Sequence, residues 1–293
     1  MNTHRPLFRP LVTVVVPTFN AERTIAETLR TVMDQTYRNI QIIVVDDASI
    51  DNTTEIVESL RPLDGRIQLL RRQKNSGLPA VPRNAALSHA LGEWVAFIDA
   101  DDTWVRHKLE WQLTAVEAHP DLDLVHGPLW ERARGAPLRG LVYLPDPVRR
   151  RGGKGVLVSR NVIQCSSVLV SLRAVRAAGG FNESQNLRSV EDYELWYRLA
   201  RSGYRFGYLP GVCGTYLVHS QGISKTEDWI SRHQTLNDKY GHQINLDAER
   251  GLLRIARRVS GFPRAAYFNL MEAPIRRRLK IPPRVFKDRI EST

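Results

Sequence analysis

The chain has 293 residues, 42% of them hydrophobic and 25% charged, with a formal net charge of +11. That composition excludes a disordered or low-complexity chain, and the longest apolar runs, over 11–17 and 94–98, fall far short of the ~20 residues a membrane-spanning helix needs. Cys165 and Cys213 have neither metal-ligand spacing nor a disulfide framework, and no apolar leader follows the basic start, so the expected setting is the reducing cytoplasm.

Through the first third, short β-branched runs alternate with helix-period segments, the pattern of βαβ units feeding a mainly parallel sheet. Strands are expected over 12–16, 41–45, 67–70 and 94–98. A helix is expected over 24–35, where Ile25, Leu29, Val32 and Met33 keep helical spacing and Thr24 with Glu27 has the form of a capping box. A second helix begins near Asp51 or Thr53 and runs to Leu60, and a third spans 83–91. Beyond Trp104 the pattern loosens. It gives a helix over 108–118, a strand over 122–126, and a Pro, Gly and Arg-rich stretch over 135–155 that reads as a surface excursion. Ordered patterning returns with 168–170, the Gly179-Gly180-Phe181 turn and a helix over 191–201 burying Leu195, Trp196 and Leu199. Trp104 and Trp196 are read as core. No internal repeat is visible. Late in the chain Arg254, Arg257, Arg258, Arg276, Arg277 and Arg278 lie among apolar and aromatic residues, which fits either a membrane-surface segment or a solvated helical face.

In an open parallel sheet, ligands gather beyond the carboxyl ends of the strands. The first strand leads into Pro17 and Thr18, the second ends at Asp46 and Asp47, and the fourth ends in Asp99-Ala100-Asp101-Asp102. Hard divalent cations take oxygen ligands, and magnesium uses one or two carboxylates while substrate phosphates complete its shell. The acidic cluster therefore points to Mg²⁺ or Mn²⁺ held against a diphosphate. Asp46 and Asp47 have the chemistry to accept hydrogen bonds from a nucleobase and ribose hydroxyls. Arg83, on a turn before a helix, is placed to organise the nucleotide or the acidic cluster through charge-assisted contacts.

Taken together, Val14-Val15-Val16-Pro17-Thr18-Phe19-Asn20, Val45-Asp46-Asp47-Ala48-Ser49, the segment from Asn75 to Asn84, and Phe97-Ile98-Asp99-Ala100-Asp101-Asp102 resemble the family-two glycosyltransferases of GT-A fold. Four motifs in the right order over about a hundred residues carry the resemblance, and later signals extend it to near residue 225. It implies a Rossmann-like nucleotide-sugar domain, with 1–110 as the donor-binding half, 111–225 as the acceptor and catalytic half, and 226–293 as a basic, mainly helical extension. Carried over residue by residue, it implies that Pro17, Thr18 and Glu22 line the nucleotide site, that Asp47 reads the base and that Arg83 supports the pocket. Asp99 then contacts ribose or metal, and Asp101 coordinates the metal. Pro82 departs from the pattern, standing where relatives usually have a small residue.

Ser189-Val190-Glu191-Asp192-Tyr193 resembles the family's Glu-Asp motif, whose aspartate deprotonates the acceptor. That makes Asp192 the expected base, with Glu191 as the alternative. Ser166, Ser167 and Gly180 fall in a family-like segment expected to touch the acceptor, and His219 matches a histidine that often follows this domain in relatives, read either as approaching the diphosphate or metal or as a structural histidine. The expected activity is single-sugar transfer with inversion from a nucleotide-diphosphate sugar, UDP favoured, to a hydroxyl of a glycan, lipid-linked sugar or natural product. The Gln-x-x-Arg-Trp motif of processive relatives is not found. Peripheral contact with the inner membrane face and a homodimer are compatible with the sequence, whereas no nucleic-acid motif accompanies the charge. The rival readings are a sugar nucleotidyltransferase, which wants a Gly-rich phosphate loop where Pro17 to Glu22 offers no glycine, and a degenerate or non-catalytic binding protein, which intact Asp99, Asp101 and Asp192 oppose.

Overall fold

The computed structural model describes residues 8–133, 138–141, 163–209, 211–218, 235–236 and 239–240. A seven-stranded sheet forms the centre. Its four leading strands, β1 (Val12–Thr18), β2 (Ile40–Asp46), β3 (Ile67–Arg71) and β4 (Trp94–Phe97), pair in parallel in the order β3-β2-β1-β4. Every residue of β1 and β2 is buried. That explains their unbroken runs of Val and Ile, because a parallel sheet is covered on both faces. Alternate side chains leave in opposite directions. Val14, Ile42, Val44 and Ala96 meet Ile25, Leu29 and Val57 on one face, while Val15, Ile43, Val45 and Phe97 meet Ala86, Leu87, Val175 and Leu195 on the other.

The helices supplying those faces are α1 (Ile25–Met33), α2 (Thr53–Leu60) and α4 (Lys108–Ala118) on the first, and α3 (Ala80–Ser88), α5 (Leu172–Ala177) and α6 (Glu191–Arg201) on the second. The result is a three-layer α/β/α arrangement. Strand order reverses at β1, because the chain moves outward through β2 and β3 and then returns to β4 on the other side. A crevice at the carboxyl ends of β1 and β4 follows from that reversal.

The sheet continues as β4-β9-β6-β10, with β6 (Leu124–His126), β9 (Leu169–Ser171) and β10 (Phe206–Tyr208). Here β9 runs antiparallel to both β4 and β6. The reversed strand brings the residues just before it, the short 3-10 turn Cys165–Ser167, to the end of β4 where the acidic cluster leaves the sheet. A second, four-stranded sheet has the order β5-β11-β7-β8, formed by β5 (Thr103–Trp104), β7 (Leu129–Ala133), β8 (Leu138–Leu141) and β11 (Gly214–Val218).

Several local expectations are corrected. Thr24 is the N-cap of α1 but its side chain makes no capping bond; its hydroxyl instead donates to the Ala21 carbonyl, so no capping box forms. The helix expected over 83–91 begins at Ala80 and ends at Ser88. Pro82 sits in its first turn, where backbone N–H groups lack helical partners in any case, so the proline removes nothing the helix needs. The Val81 amide bonds back to the Leu78 carbonyl at 3.2 Å and the Arg83 amide to the Pro79 carbonyl at 3.4 Å. Within the stretch expected as an excursion over 135–155, residues 138–141 form strand β8, and 135–137 and 142–155 lie outside the described residues. Trp104 and Trp196 are both buried, as expected of core.

Gly214 opens β11 against Trp104 in β5, and a Cβ there would stand 1.9 Å from the Thr103 carbonyl oxygen. The backbones cannot separate without moving the chain that leaves the acidic cluster. Gly214→Ala is expected to destabilise the protein by about 3 kcal/mol, read as a lowered urea midpoint with unchanged slope.

Candidate active site

The acidic cluster is a tight turn at the end of β4. The Asp102 amide donates to the Asp99 carbonyl at 3.1 Å, closing the turn. From α1, the Thr28 hydroxyl lies 3.0 Å from the Ala100 carbonyl and 2.8 Å from that of Asp102. From the turn before β9, Ser166 Oγ accepts the Asp99 amide at 3.0 Å and donates to Asp102 Oδ2. Asp102 Oδ1 accepts the Leu217 amide of β11 at 2.9 Å. Buried and facing Asp101 and Asp99, the Asp102 carboxyl is pushed well above the ordinary carboxylate range, first by burial and then by those two charges. Asp102 thus ties the two sheets together, while Asp99, Ala100 and Asp101 are half-buried at the mouth of the crevice.

At the neighbouring strand ends, Thr18 stands opposite Asp46 in register. Asp46 Oδ2 accepts the Ser49 amide at 3.2 Å, but Asp46 Oδ1 and Thr18 Oγ1 are buried without a hydrogen-bond partner among the described residues. Asp47 is fully engaged: Oδ1 pairs with Arg72, and Oδ2 accepts the Ser76 amide at 3.0 Å and its hydroxyl at 2.7 Å. Asn75 donates to the Asp47 carbonyl at 3.0 Å, so this aspartate anchors the loop that leads into α3. Pro17 is buried at the end of β1. Glu22 joins the first and second βα loops, its Oε2 accepting the Asn52 amide at 3.2 Å and side chain at 3.1 Å.

Arg83 unites the two halves of the site. Its guanidinium is 4% exposed, donating through one nitrogen to Asp99 Oδ1 at 2.7 Å and through another to Glu191 Oε1 at 2.6 Å. The Phe181 ring lies beneath it at 5.3 Å. Glu191, also buried, opens α6, and Asp192 follows it, half-buried with Oδ1 accepting the Tyr193 amide at 2.6 Å. Burial, and next the adjacent Glu191 charge, push the Asp192 carboxyl up to about 7, while Arg83 pulls it back down. A carboxylate poised near neutrality is suited to taking and giving a proton.

Ser166 and Ser167 are buried: the first holds the acidic turn, and the second donates to the Gln164 carbonyl at 2.8 Å. Gly180, with φ of +74°, leaves no room for a Cβ, which would stand 2.7 Å from Asn84 Oδ1. Asn84 in turn exchanges hydrogen bonds with the Phe181 backbone, both at 2.8 Å. All three therefore shape the site through their packing. His219 lies outside the described residues. Sequence reasoning missed Thr28, Arg72 and Ser76. Thr28 and Arg72 lie outside the motifs, and Ser76, within the segment from Asn75 to Asn84, acts on a partner distant in sequence.

The doubly wound sheet brings Asp99 to its strand ends, and Arg83 joins it to the helix that carries Asp192. The profile of glycosyl transferase family 2 matches residues 13–139. A UDP-Glc:alpha-D-GlcNAc-diphosphoundecaprenol beta-1,3-glucosyltransferase of Escherichia coli, WfgD, is 43% identical over 221 residues, covering 74% of this chain and 81% of the relative. The chain belongs to glycosyl transferase family 2. Among solved structures, S. aureus TarS 1-349 in complex with UDP-GlcNAc aligns with a TM-score of 0.65 at 20% identity, covering 81% of this chain and 70% of that one. The mannosyltransferase PcManGT from Pyrobaculum calidifontis, in complex with GDP-Man and Mn2+, aligns with a TM-score of 0.61 at 24% identity, covering 92% and 70%. Both likenesses establish the GT-A fold.

Raising the Asp192 pKa has a consequence for stability. The folded protein binds a proton there more tightly than the unfolded chain, whose aspartate titrates at about 3.9. The associated stability is fully present below that value and is lost as pH rises through about 7. Asp192→Asn carries no such loss. It is expected to melt above the wild type at pH 8, with the gap closing as pH falls from 7 towards 4, measured by thermal denaturation across that range.

Proposed function

We propose that this chain transfers one sugar, with inversion, from a nucleotide-diphosphate donor to a hydroxyl of a diphosphate-linked sugar, with UDP as the favoured nucleotide. The observation that carries this reading is the Asp99–Arg83–Glu191 bridge, which holds an aspartate of near-neutral pKa opposite the strand ends suited to a nucleotide. The specificity printed for the Escherichia coli relative supports both the donor and the acceptor class.

On the donor side, Asp46 Oδ1 and Thr18 Oγ1 support nucleotide binding. A buried polar atom without a partner costs about 1–3 kcal/mol, and base or ribose donors and acceptors would satisfy both. Asp47 acts here by fixing the Arg72 and Ser76 side of the pocket. Pro17 and Glu22 keep the first βα loop in place beside it.

Among the described residues no group of three or more His, Cys, Asp and Glu side chains is gathered to hold a metal. Asp99 and Asp101 nonetheless fit a magnesium or manganese ion that draws the rest of its oxygen shell from the donor's phosphates and water, and His219 is a further candidate. When bound, such an ion neutralises charge on the departing diphosphate. Asp101 is the principal ligand, as the family resemblance implies, with Asp99, which Arg83 also engages, as the second.

On the acceptor side, Asp192 removes the proton of the attacking hydroxyl. The oxygen bonds to the anomeric carbon as the bond from that carbon to the diphosphate breaks, and the electron pair leaves with the diphosphate. Attack from the face opposite the leaving group turns an α-linked donor into a β-linked product. Glu191 remains paired with Arg83, and its charge adds to burial in raising the Asp192 pKa. Among the described residues no helix is long and apolar enough to cross a membrane. We assign contact with a lipid-linked acceptor to the basic run over 254–289 on its charge alone; it lies outside the described residues.

A thermal-shift panel of UDP, GDP, dTDP and CDP, each with and without Mn²⁺, tests this reading on the wild type and Asp101→Ala. UDP with Mn²⁺ is expected to raise the wild-type midpoint most, and Asp101→Ala to lose the metal-dependent part. No shift with any nucleotide under either metal condition would overturn the donor site.

A further inference from the structure

Glu194 shares the first turn of α6 with Glu191 and Asp192 and is completely buried. Its Oε2 accepts from Arg198 Nε at 2.7 Å, and the same guanidinium donates onward to the carbonyls of Ala178 and Gly180, the latter at 2.7 Å. This half of the carboxylate therefore ties α6 to the glycine turn that packs on Asn84, the neighbour of Arg83. The other oxygen, Oε1, finds its partners far along the chain. Tyr240 donates its hydroxyl to Oε1 at 2.8 Å, and Lys239 Nζ stands 3.5 Å away.

The contact is more than polar. The Tyr240 ring lies 4.8 Å from that of Tyr197 on α6, and Lys239 Nζ approaches the Tyr240 ring at 5.1 Å. Leu236 is buried in the same apolar cluster as Val190, Tyr193 and Leu195, which surround the start of α6. Burial and the hydrogen bond to Glu194 both hold the proton on the Tyr240 phenol, so the hydroxyl remains a donor to the carboxylate.

We infer that Leu236, Lys239 and Tyr240 form a clamp on α6, with Tyr240 and Lys239 as positioning residues that hold Glu191 and Asp192 in register through Glu194. The inference rests on the reading of Asp192 as the base. A helix moves as a unit, so loosening Glu194 displaces the first turn, where Glu191 must stay at 2.6 Å from Arg83. Displacement admits water to Asp192 and returns its carboxyl towards the ordinary range.

The test uses the full chain and two variants, Tyr240→Phe, which keeps the ring and removes the hydroxyl, and Lys239→Met, which keeps the stem and removes the charge. Sugar transfer is followed across pH with donor and acceptor varied separately, and hydrogen exchange is followed on the α6 amides. Tyr240→Phe is expected to lower kcat about tenfold with donor KM unchanged, to move the acid limb of acceptor kcat/KM to lower pH, and to speed exchange over 191–201. Lys239→Met is expected to do the same more weakly. If both variants only melt at lower temperature, with the acid limb, kcat and α6 exchange of the wild type, the clamp is overturned. Should the wild type transfer no sugar, the transferase reading fails instead, and α6 exchange alone still decides the clamp: unchanged exchange refutes it.

Discussion

Arg83 is the interaction on which the rest of the site depends. A guanidinium held at 4% exposure must be paired to be tolerated, and its partners come from opposite halves of the domain: Asp99 from the end of β4, and Glu191 from the start of α6. The pairing forces these two segments together. It also sets the electrostatics of Asp192, which is raised by burial and by Glu191 and restrained by Arg83. Donor-side geometry and acceptor-side basicity thus share a single positive charge.

Around that bridge, neighbouring aspartates divide the work according to burial. Asp102 is sealed in and joins the two sheets through Ser166 and Leu217, whereas Asp99 and Asp101 remain at the mouth of the crevice. Asp47 is consumed by Arg72 and Ser76, whereas Asp46 keeps one buried oxygen without a partner among the described residues. Such arrangements cost folding free energy. The Thr18 hydroxyl, without a partner among the described residues, and the raised Asp192 pKa are destabilising features that a purely structural sequence would not retain.

Legibility in the sequence followed the range of each interaction. Strands β1 to β4 were readable because a parallel sheet covered on both faces demands continuous Val and Ile runs, and the acids at the ends of β2 and β4 followed directly from the strand boundaries. The helix carrying Glu191 and Asp192 was readable over its full length from its apolar spacing. The antiparallel β9 and the second sheet were not, since strands of two to five residues carry too little periodicity to announce their direction. The Thr24 capping box failed because the Thr24 hydroxyl took a backbone carbonyl instead. Arg83 was recognised as an organiser, but its bond to Glu191 spans 108 residues and belongs to the fold rather than to any local pattern. The hydroxyls of Ser166 and Ser167 were expected at the acceptor; their burial follows from the reversed strand that delivers them beneath the acidic turn.

Inversion by Asp192 is tested most directly by the stereochemistry of the product. The full chain is incubated with Mn²⁺, α-linked UDP-glucose and a short-chain lipid diphosphate bearing GlcNAc, and the new linkage is read from its anomeric proton coupling by NMR. Direct displacement predicts a β-linkage. An α-linked product would contradict single displacement from the face opposite the diphosphate, and with it the role assigned to Asp192.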